Sequence, residues 1–321
     1  MKAIVYQKYG SPDVLQLEDV DTPAIDDGDV LVRVRAASVN SWDWDLLRGT
    51  PFMNRLGALR TPKHKILGAD IAGQVEAVGR DVSRFQPGDE VYGDLSGCGW
   101  GGFAEYVSAA EDALAPKPAN LTFEDAAAVP QAGVLAVQGL RLHGPIQPGQ
   151  HVLVNGAGGG VGTFAVQIAR SFGAEVTGVD STEKLDMVRS IGADHVIDYT
   201  QDDFTSTEQR YDVILDCALR RSIFDCRRAL APRGTHILIG GSAARIIQAF
   251  ALATPISIVG SKKTRILLHK PGDADLADLR ELIEAGTVVP VIDRRYTLSE
   301  VPEALRYFGE GHVQGKIVIT V

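Results

Sequence analysis

The stretch Gly156-Ala-Gly-Gly-Gly-Val-Gly162 directly follows the apolar run His151-Val-Leu-Val-Asn155. A strand, a glycine-dense turn and a helix (Thr163 to Phe172) form the arrangement that holds a dinucleotide pyrophosphate. Glycines let the backbone approach the phosphates, and the helix start offers free N–H groups. A second strand follows at Ala174–Val179. Asp180 comes after it, at about the sequence separation from the glycine turn that is expected for an acid that binds the ribose. The pattern predicts an NAD or NADP site, the alternative being a purely structural turn.

The composition of the 321-residue chain bounds its function class. A formal net charge of −9 argues against a nucleic-acid surface, and basic pairs such as Arg220-Arg221 are expected on exposed faces. Three widely spaced cysteines without a C-x-x-C element indicate a reducing compartment and no disulfide framework. No apolar run is long enough for a membrane span, and the N-terminus shows no signal pattern. We therefore expect a soluble cytoplasmic protein.

Strand and helix periodicities divide the chain into regions. Short strands punctuated by Gly and Pro, such as the alternating segment Asp29–Ala36, predict a small barrel in the first part. From His151 onward strands and helices alternate, which predicts an α/β fold with a doubly wound parallel sheet. The expected domains are a substrate domain at 1–121, a dinucleotide-binding domain at 122–260, and a piece at 261–321 that returns to the first domain.

Five motifs are spread over the whole chain. They are Lys2-Ala-Ile-Val-Tyr6, Ser38-Val-Asn40, Pro87-Gly-Asp89, Gly158-Gly-Gly-Val-Gly162 and Gly315-Lys-Ile-Val318. With them the chain resembles the medium-chain dehydrogenase/reductase superfamily, in its zinc-free quinone oxidoreductase branch. It is especially similar to the subgroup that includes mitochondrial reticulon-interacting proteins. The resemblance implies a GroES-like β-barrel substrate domain, a Rossmann domain, a cleft between them, and a homodimer paired through the edge strand Ile256–Val259.

The resemblance also bears on metal binding. Relatives that oxidise alcohols hold a catalytic zinc ion with Cys, His and Cys ligands. At the matching positions this chain has Asn40 for the first Cys, Ala69 for the His, and Pro130 or Gln131 for the second Cys. We therefore expect no metal ion and a zinc-independent reaction.

Without a Lewis acid, the implied reaction is reduction of a quinone or an α,β-unsaturated carbonyl, whose oxygen collects negative charge. By resemblance, Asn40 lies in the cleft and is expected to donate a hydrogen bond to that oxygen. Asp43, in the family's Asn-x-x-Asp spacing, would orient the loop or a water molecule. The alternative is that Asn40 caps a turn and Asp43 starts a helix. Trp42 would line the substrate pocket unless it only packs, and Leu135 replaces a pocket Thr that approaches the nicotinamide in relatives.

The residues after the second strand bear on cofactor choice. Asp180 can accept from a ribose 2′-hydroxyl and would repel a 2′-phosphate, which favours NAD. Ser181 and Lys184 offer a hydroxyl and a cation, and by resemblance a lysine at 184 binds the 2′-phosphate, the alternative being an ordinary exposed lysine. We expect NADPH rather than NADH. The glycine motif and the resemblance give the remaining expected cofactor contacts as Gly156, Gly158, Gly159, Gly160, Val161, Tyr199, Cys217, Gly240, Gly241 and Lys316.

Two of those contacts have plainer interpretations: Cys217 as a small buried hydrophobic residue, and Lys316 as a surface residue of the last strand. A second interpretation of the whole chain is a nucleotide-binding interaction protein of the same fold with little or no catalysis. Departures from the family pattern at Ser41, Gln131 and Leu135 leave room for it. The natural substrate stays open, because the pocket depends on loops such as Gly49–Lys65.

Overall fold

A computed structural model describes residues 1–55, 58–143, 146–241, 248, 250, 252–253 and 260–321. The chain divides into two compact units. The first unit comprises Met1–Val134, Lys270–Ala285 and Pro290–Val321, and the second comprises Leu135–His269 and Gly286–Val289. The domain boundaries expected from the sequence, after residues 121 and 260, stay a prediction.

The described strands are β1 (Lys2–Val5), β2 (Gln16–Asp19), β3 (Asp29–Val39), β4 (Asp70–Val78), β5 (Glu90–Asp94), β6 (Tyr106–Ala110), β7 (Leu114–Pro116), β8 (His151–Asn155), β9 (Glu175–Asp180), β10 (His195–Asp198), β11 (Tyr211–Asp216), β12 (Leu230–Leu238), β13 (Lys263–Ile266), β14 (Ile292–Thr297) and β15 (Lys316–Thr320). The described α-helices are α1 (Ser41–Arg48), α2 (Phe123–Ala127), α3 (Pro130–Val137), α4 (Gly160–Ser171), α5 (Leu185–Ser190), α6 (Ile223–Ala229), α7 (Asp273–Glu284) and α8 (Val301–Glu310). In these residues no helix has both the length and the apolar character needed to cross a bilayer.

The first unit is built around a seven-stranded sheet. Its order is β14-β15-β3-β4-β5-β7, with β6 also paired to β3, and β1 and β2 form a separate antiparallel pair. The antiparallel β15–β3 register sets Ile317 opposite Val39, so Lys316 begins its strand beside the end of β3. The β3–β4 register sets Ser38 opposite Asp70. Strand pairing alone therefore gathers polar residues from three distant parts of the chain.

The second unit is a six-stranded parallel sheet with the order β10-β9-β8-β11-β12-β13. This is the Rossmann order, which reverses between β8 and β11 and so leaves a crevice at the carboxyl ends of the strands. Val152, Leu153 and Val154 are wholly buried, as expected of a strand covered on both faces. The sequence prediction of an α/β fold with a Rossmann sheet is confirmed.

Two details differ from the sequence predictions. The helix expected from Thr163 to Phe172 spans Gly160–Ser171, because Gly159 already takes the extended N-cap conformation. The strand Lys263–Ile266 was not predicted; its charged residues obscure the apolar pattern. The predicted edge strand Ile256–Val259, on which the expected homodimer depends, lies outside the described residues.

Candidate active site and cofactor site

The glycine turn joins β8 to α4 in the second unit. Gly156 has a φ of 86°, in the left-handed region that favours glycine. A Cβ atom on Gly162 would lie 2.1 Å from the Gly156 carbonyl oxygen, whereas a Cβ on Gly159 would meet only that oxygen, at 3.5 Å. Internal packing therefore requires glycine at 162 but not at 159, where space remains at a helix start that attracts anions. The other turn residues named from the sequence are Gly158, Gly160 and Val161.

Asp180, the last residue of β9, accepts hydrogen bonds that hold this turn in place. Its Oδ2 atom accepts from the Gly158 N–H at 2.7 Å, and its Oδ1 atom accepts from the Ser181 N–H at 2.9 Å. The Lys184 ammonium lies 4.0 Å from Oδ1, and a Cβ on Gly158 would lie 2.8 Å from the Lys184 side chain. The structure thus brings together the turn, the acid and the lysine that the sequence named. The carboxylate keeps lone pairs for a ribose hydroxyl.

A cavity of about 150 Å³ opens beside Tyr199, which follows β10. It is lined by Asn155, Tyr199, Phe204, Arg220 and Arg221. The guanidinium carbon of Arg220 lies 4.2 Å from the Tyr199 ring centroid, within cation–π range. Arg220 is exposed, as expected of a basic pair, and Arg221 is partly exposed, while both also line the cavity. Sequence reasoning did not assign them to a cavity, although they lie only a few residues after the apolar strand β11 of the Rossmann sheet.

The remaining predicted residues of the second unit lie at the same sheet edge. Cys217 directly follows β11, and burial raises the pKa of its thiol. Gly240 and Gly241 follow β12, and a Cβ on Gly241 would lie 2.4 Å from the Cβ of Leu219. Glycine at 241 therefore has a packing reason of its own. All three residues stand at the carboxyl ends of strands, where ligands of this fold bind.

In the first unit, Asn40 lies in a buried polar network. Its Oδ1 atom accepts from the Lys316 ammonium, and its Nδ2 atom donates to Asp70 Oδ2 at 2.9 Å. Lys316 also donates to Asp70 Oδ2 at 3.3 Å, and Ser38 does so at 3.1 Å. Because a lysine only donates and a carboxylate only accepts, the Asn40 amide has one orientation. Sequence reasoning missed Asp70, although a lone acid opening an apolar strand was a signal.

Asp43 lies next to this network and is wholly buried. Its Oδ2 atom accepts from the Asn40 N–H at 2.8 Å, and its Oδ1 atom accepts from the Gly68 N–H at 2.9 Å. The two bonds start α1, as the plainer interpretation has it, and hold the Gly68 segment against the helix, while a catalytic role of Asp43 stays a prediction. Burial raises the pKa of Asp43 to about 7. Burial also raises the pKa of Asp70, and the Lys316 ammonium opposes that shift.

Helix α3 adds a backbone donor to the network. The Gln131 backbone N–H donates to Asp70 Oδ1 at 3.0 Å, and Leu135 lies one turn further along the helix. Trp42, on α1, is 39% exposed and stands edge-on to Trp100, with 5.6 Å between the ring centroids. Trp42 is therefore partly packed and partly available to a ligand.

Comparisons with known proteins agree with this architecture. The zinc-binding dehydrogenase family model matches residues 191–319, and the alcohol dehydrogenase GroES-like domain matches residues 26–119. An NADPH-dependent alkenal/one oxidoreductase of Arabidopsis thaliana is 35% identical, over 99% of this chain and 79% of the relative. Quinone-oxidoreductase QR1 of Triphysaria versicolor is 32% identical, over 99% of this chain and 98% of the relative. The chain belongs to the medium-chain dehydrogenase/reductase superfamily, in its quinone oxidoreductase branch.

A solved structure of this oxidoreductase branch supports the assignment. The quinone oxidoreductase from Coxiella burnetii has a TM-score of 0.88 and 28% identity, and the match covers 100% of this chain and 99% of that one. The protein is thus an oxidoreductase that uses a nicotinamide cofactor.

Two of the residues at the superfamily's zinc positions, Asn40 and Ala69, have surroundings or side chains that leave no ligand for an ion. The Asn40 oxygen is already bound by Lys316, and Ala69 offers no ligand atom. The described residues hold one group of three possible ligands within 4.8 Å of one another, Asp216, Cys226 and His236, and it lies in the second unit. The expected absence of zinc from the active site stays a prediction.

Proposed function

We propose that this protein transfers a hydride from NADPH to a quinone or an α,β-unsaturated carbonyl compound, without zinc. The observation that carries the proposal is the fixed amide of Asn40. Lys316 and Asp70 hold it in one orientation, and its second N–H has no acceptor among the described residues. The acceptor class is supported by the alkenal/one and quinone reductases to which the chain is similar.

The proposed hydride transfer needs a hydrogen-bond donor at the oxygen atom on which negative charge develops. Hydride addition to a conjugated carbonyl leaves negative charge on the oxygen, and the protein stabilises it best with donors that are already oriented. The free N–H of Asn40 would supply one such donor, and the nearby Lys316 ammonium adds positive charge. When bound, NADPH supplies the hydride, which carries two electrons. A proton from water completes the reduced product.

The residues of this site do not fit a zinc ion. A zinc ligand set needs three or four nitrogen, sulfur or carboxylate ligands around an open centre. Ala69 offers none, and the Asn40 oxygen accepts from a cation that a metal ion would have to displace. The proposed reaction therefore contains no metal-dependent step.

The first experiment measures oxidation of NADPH by the purified protein with methyl vinyl ketone and with para-benzoquinone. We expect enzyme-dependent loss of the reduced nicotinamide absorbance with at least one acceptor. Gly159→Ala tests the cofactor site, because space at 159 is not filled by the protein itself. We expect about tenfold weaker NADPH binding or more, with an unchanged unfolding midpoint.

Gly162→Ala is the matched control for this experiment. Its Cβ would collide with the Gly156 carbonyl oxygen, so it should impair folding itself. Tight NADPH binding without any enzyme-dependent oxidation would contradict the catalytic proposal and favour the interaction protein. Unaltered NADPH binding by Gly159→Ala would contradict the assigned pyrophosphate site.

Cofactor preference is tested at Lys184, which stands beside Asp180 at the sheet edge. If Lys184 binds the 2′-phosphate, Lys184→Ala should raise the KM for NADPH about tenfold and leave the KM for NADH unchanged. Arg189→Ala removes a cation from α5, the helix that begins directly after Lys184, and should change neither KM. Faster turnover with NADH in the parent protein, unaltered by Lys184→Ala, would overturn the preference for NADPH. The homodimer and the cytoplasmic location also stay predictions.

A further inference from the structure

Gln131 carries an unpaired amide in the interior of the first unit. The residue is 4% exposed, and its Nε2 group has no hydrogen-bond partner in the described part of the chain. Native proteins pair nearly all buried polar groups, because an unpaired donor loses its hydration without compensation. A buried amide with two free N–H bonds at the candidate site therefore points to a partner that binds there.

The backbone of Gln131 is fixed to the same carboxylate as Asn40. Asp70 Oδ1 accepts from the Gln131 backbone N–H at 3.0 Å, and Asp70 Oδ2 accepts from Asn40 Nδ2 at 2.9 Å. One aspartate thus positions two amide-bearing residues, each with spare N–H bonds. Asn40 is itself only 6% exposed, so both amides are largely shielded from competing water. Such shielding strengthens hydrogen bonds to a developing charge.

We propose that Gln131 is a second catalytic donor, which binds the carbonyl oxygen of the hydride acceptor together with Asn40. This inference rests on the proposed function. With an enone, the β-carbon gains the hydride and NADPH becomes NADP⁺. The π electron pair of the carbon–carbon double bond forms a new double bond between the α-carbon and the carbonyl carbon, and the π pair of the carbonyl bond moves to the oxygen, which carries the enolate charge. A proton from water then bonds to the α-carbon. The amides stabilise the oxygen and exchange no proton.

The substrate class follows from this arrangement. Two neutral donors suit an acceptor whose charge collects on one oxygen, and they help most when that oxygen is strongly basic. An enolate oxygen is more basic than the oxygen of a quinol monoanion. The donor pair therefore matters more for reduction of enones than for reduction of quinones.

The test uses Gln131→Met, which keeps the size of the side chain and removes its donors. Single-turnover hydride transfer from bound NADPH to methyl vinyl ketone should slow about tenfold or more, since losing one oxyanion donor costs ~10²–10³ in an established case. The dissociation constant for NADPH should stay unchanged, and the unfolding midpoint should not fall. The ratio of enone to quinone rates should drop several-fold, and this ratio does not depend on how much enzyme is folded.

Gln138→Met makes the same substitution at a buried glutamine of the second unit and should leave that ratio unchanged. Hydride transfer in Gln131→Met within twofold of the parent rate would overturn the inference. Equal losses with both acceptors would also overturn it, because they would indicate a general structural role. Failure of the parent protein to oxidise NADPH with either acceptor would instead overturn the proposed function, and it is seen before any variant is made.

Discussion

Each of the two units contains a wholly buried aspartate that collects hydrogen bonds, Asp70 in the first unit and Asp216 in the second. Asp216 accepts from Asn155 Nδ2 at 2.7 Å, from His236 Nε2 at 3.1 Å, and from the Leu219 backbone N–H at 2.8 Å. Asp70 accepts from a lysine, a serine, an asparagine and one backbone N–H. The two carboxylates therefore accept hydrogen bonds from similar sets of side-chain and backbone donors.

The two networks differ in the pKa of the carboxylate and in the kind of group left unpaired, which is a histidine ring atom, His236 Nδ1, near Asp216 and side-chain amide N–H bonds near Asp70. Burial raises the pKa of Asp216, but the hydrogen bond and the charge of His236, with the other donors, bring it below its ordinary value. The pKa of Asp70 stays above its ordinary value, mainly because of burial. Two of the residues that donate to Asp70, Asn40 and Gln131, also carry side-chain amide N–H bonds that are free in the described part of the chain. We infer that the hydrogen bonds of Asp216 have a structural role at the edge of its sheet, whereas those of Asp70 orient donors toward a ligand.

The largest expected effect comes from removing the partner of Asp216. His236→Leu leaves a buried carboxylate that its remaining donors hold ionised, so the free energy of unfolding should fall by about 3–5 kcal/mol. Urea denaturation measures this loss. The turnover of the folded fraction should stay within about twofold, because this network is structural. A loss below about 1 kcal/mol would show that Asp216 is not held ionised in this way.

Local patterns in the sequence predict much of this molecule. The strand, turn and helix around Gly156–Gly162, and the alternation after His151, depend on neighbouring residues, so the Rossmann sheet was predictable. The Asp70 network was not, because strand pairing brings Lys316 beside Asn40 from 276 positions away in the sequence. The family resemblance supplied Asn40, but neither spacing nor periodicity indicated which residues would hold its amide. Register and side-chain geometry decide that.

The second largest expected effect is the dependence of stability on pH that results from the protonation of Asp43 in the first unit. The pKa of Asp43 is about 7 in the folded protein and about 3.9 in an unfolded chain. The folded protein therefore keeps this proton to higher pH, so its contribution to stability is complete below pH 4 and is lost as the pH rises through about 7. Between about pH 5 and pH 7 we expect the free energy of unfolding to fall by about 2 kcal/mol.

Asp43→Asn isolates this contribution. The variant cannot titrate at position 43, so its unfolding free energy should fall less steeply with pH than that of the parent. The comparison is needed because burial also raises the pKa of Asp45, to about 6, which gives the parent a second slope of the same sign. Urea denaturation across this pH range measures both curves. Parallel curves would mean that Asp43 is ionised throughout the range. Asp43 would then resemble Asp216, the buried aspartate whose pKa lies below its ordinary value.

The smallest expected effect on stability, with a distinct kinetic signature, comes from Lys316→Met. Because burial already raises the pKa of Asp70, this carboxyl can take up a proton when its cation is lost, and unfolding should become easier by only about 1–2 kcal/mol. The Asn40 amide loses the donor that fixes its orientation, so hydride transfer in protein saturated with NADPH should slow about tenfold. Stopped-flow kinetics and urea denaturation measure the two effects. A loss of stability as large as that of His236→Leu, with hydride transfer intact, would make Asp70 a structural carboxylate like Asp216 and remove the distinction between the two networks.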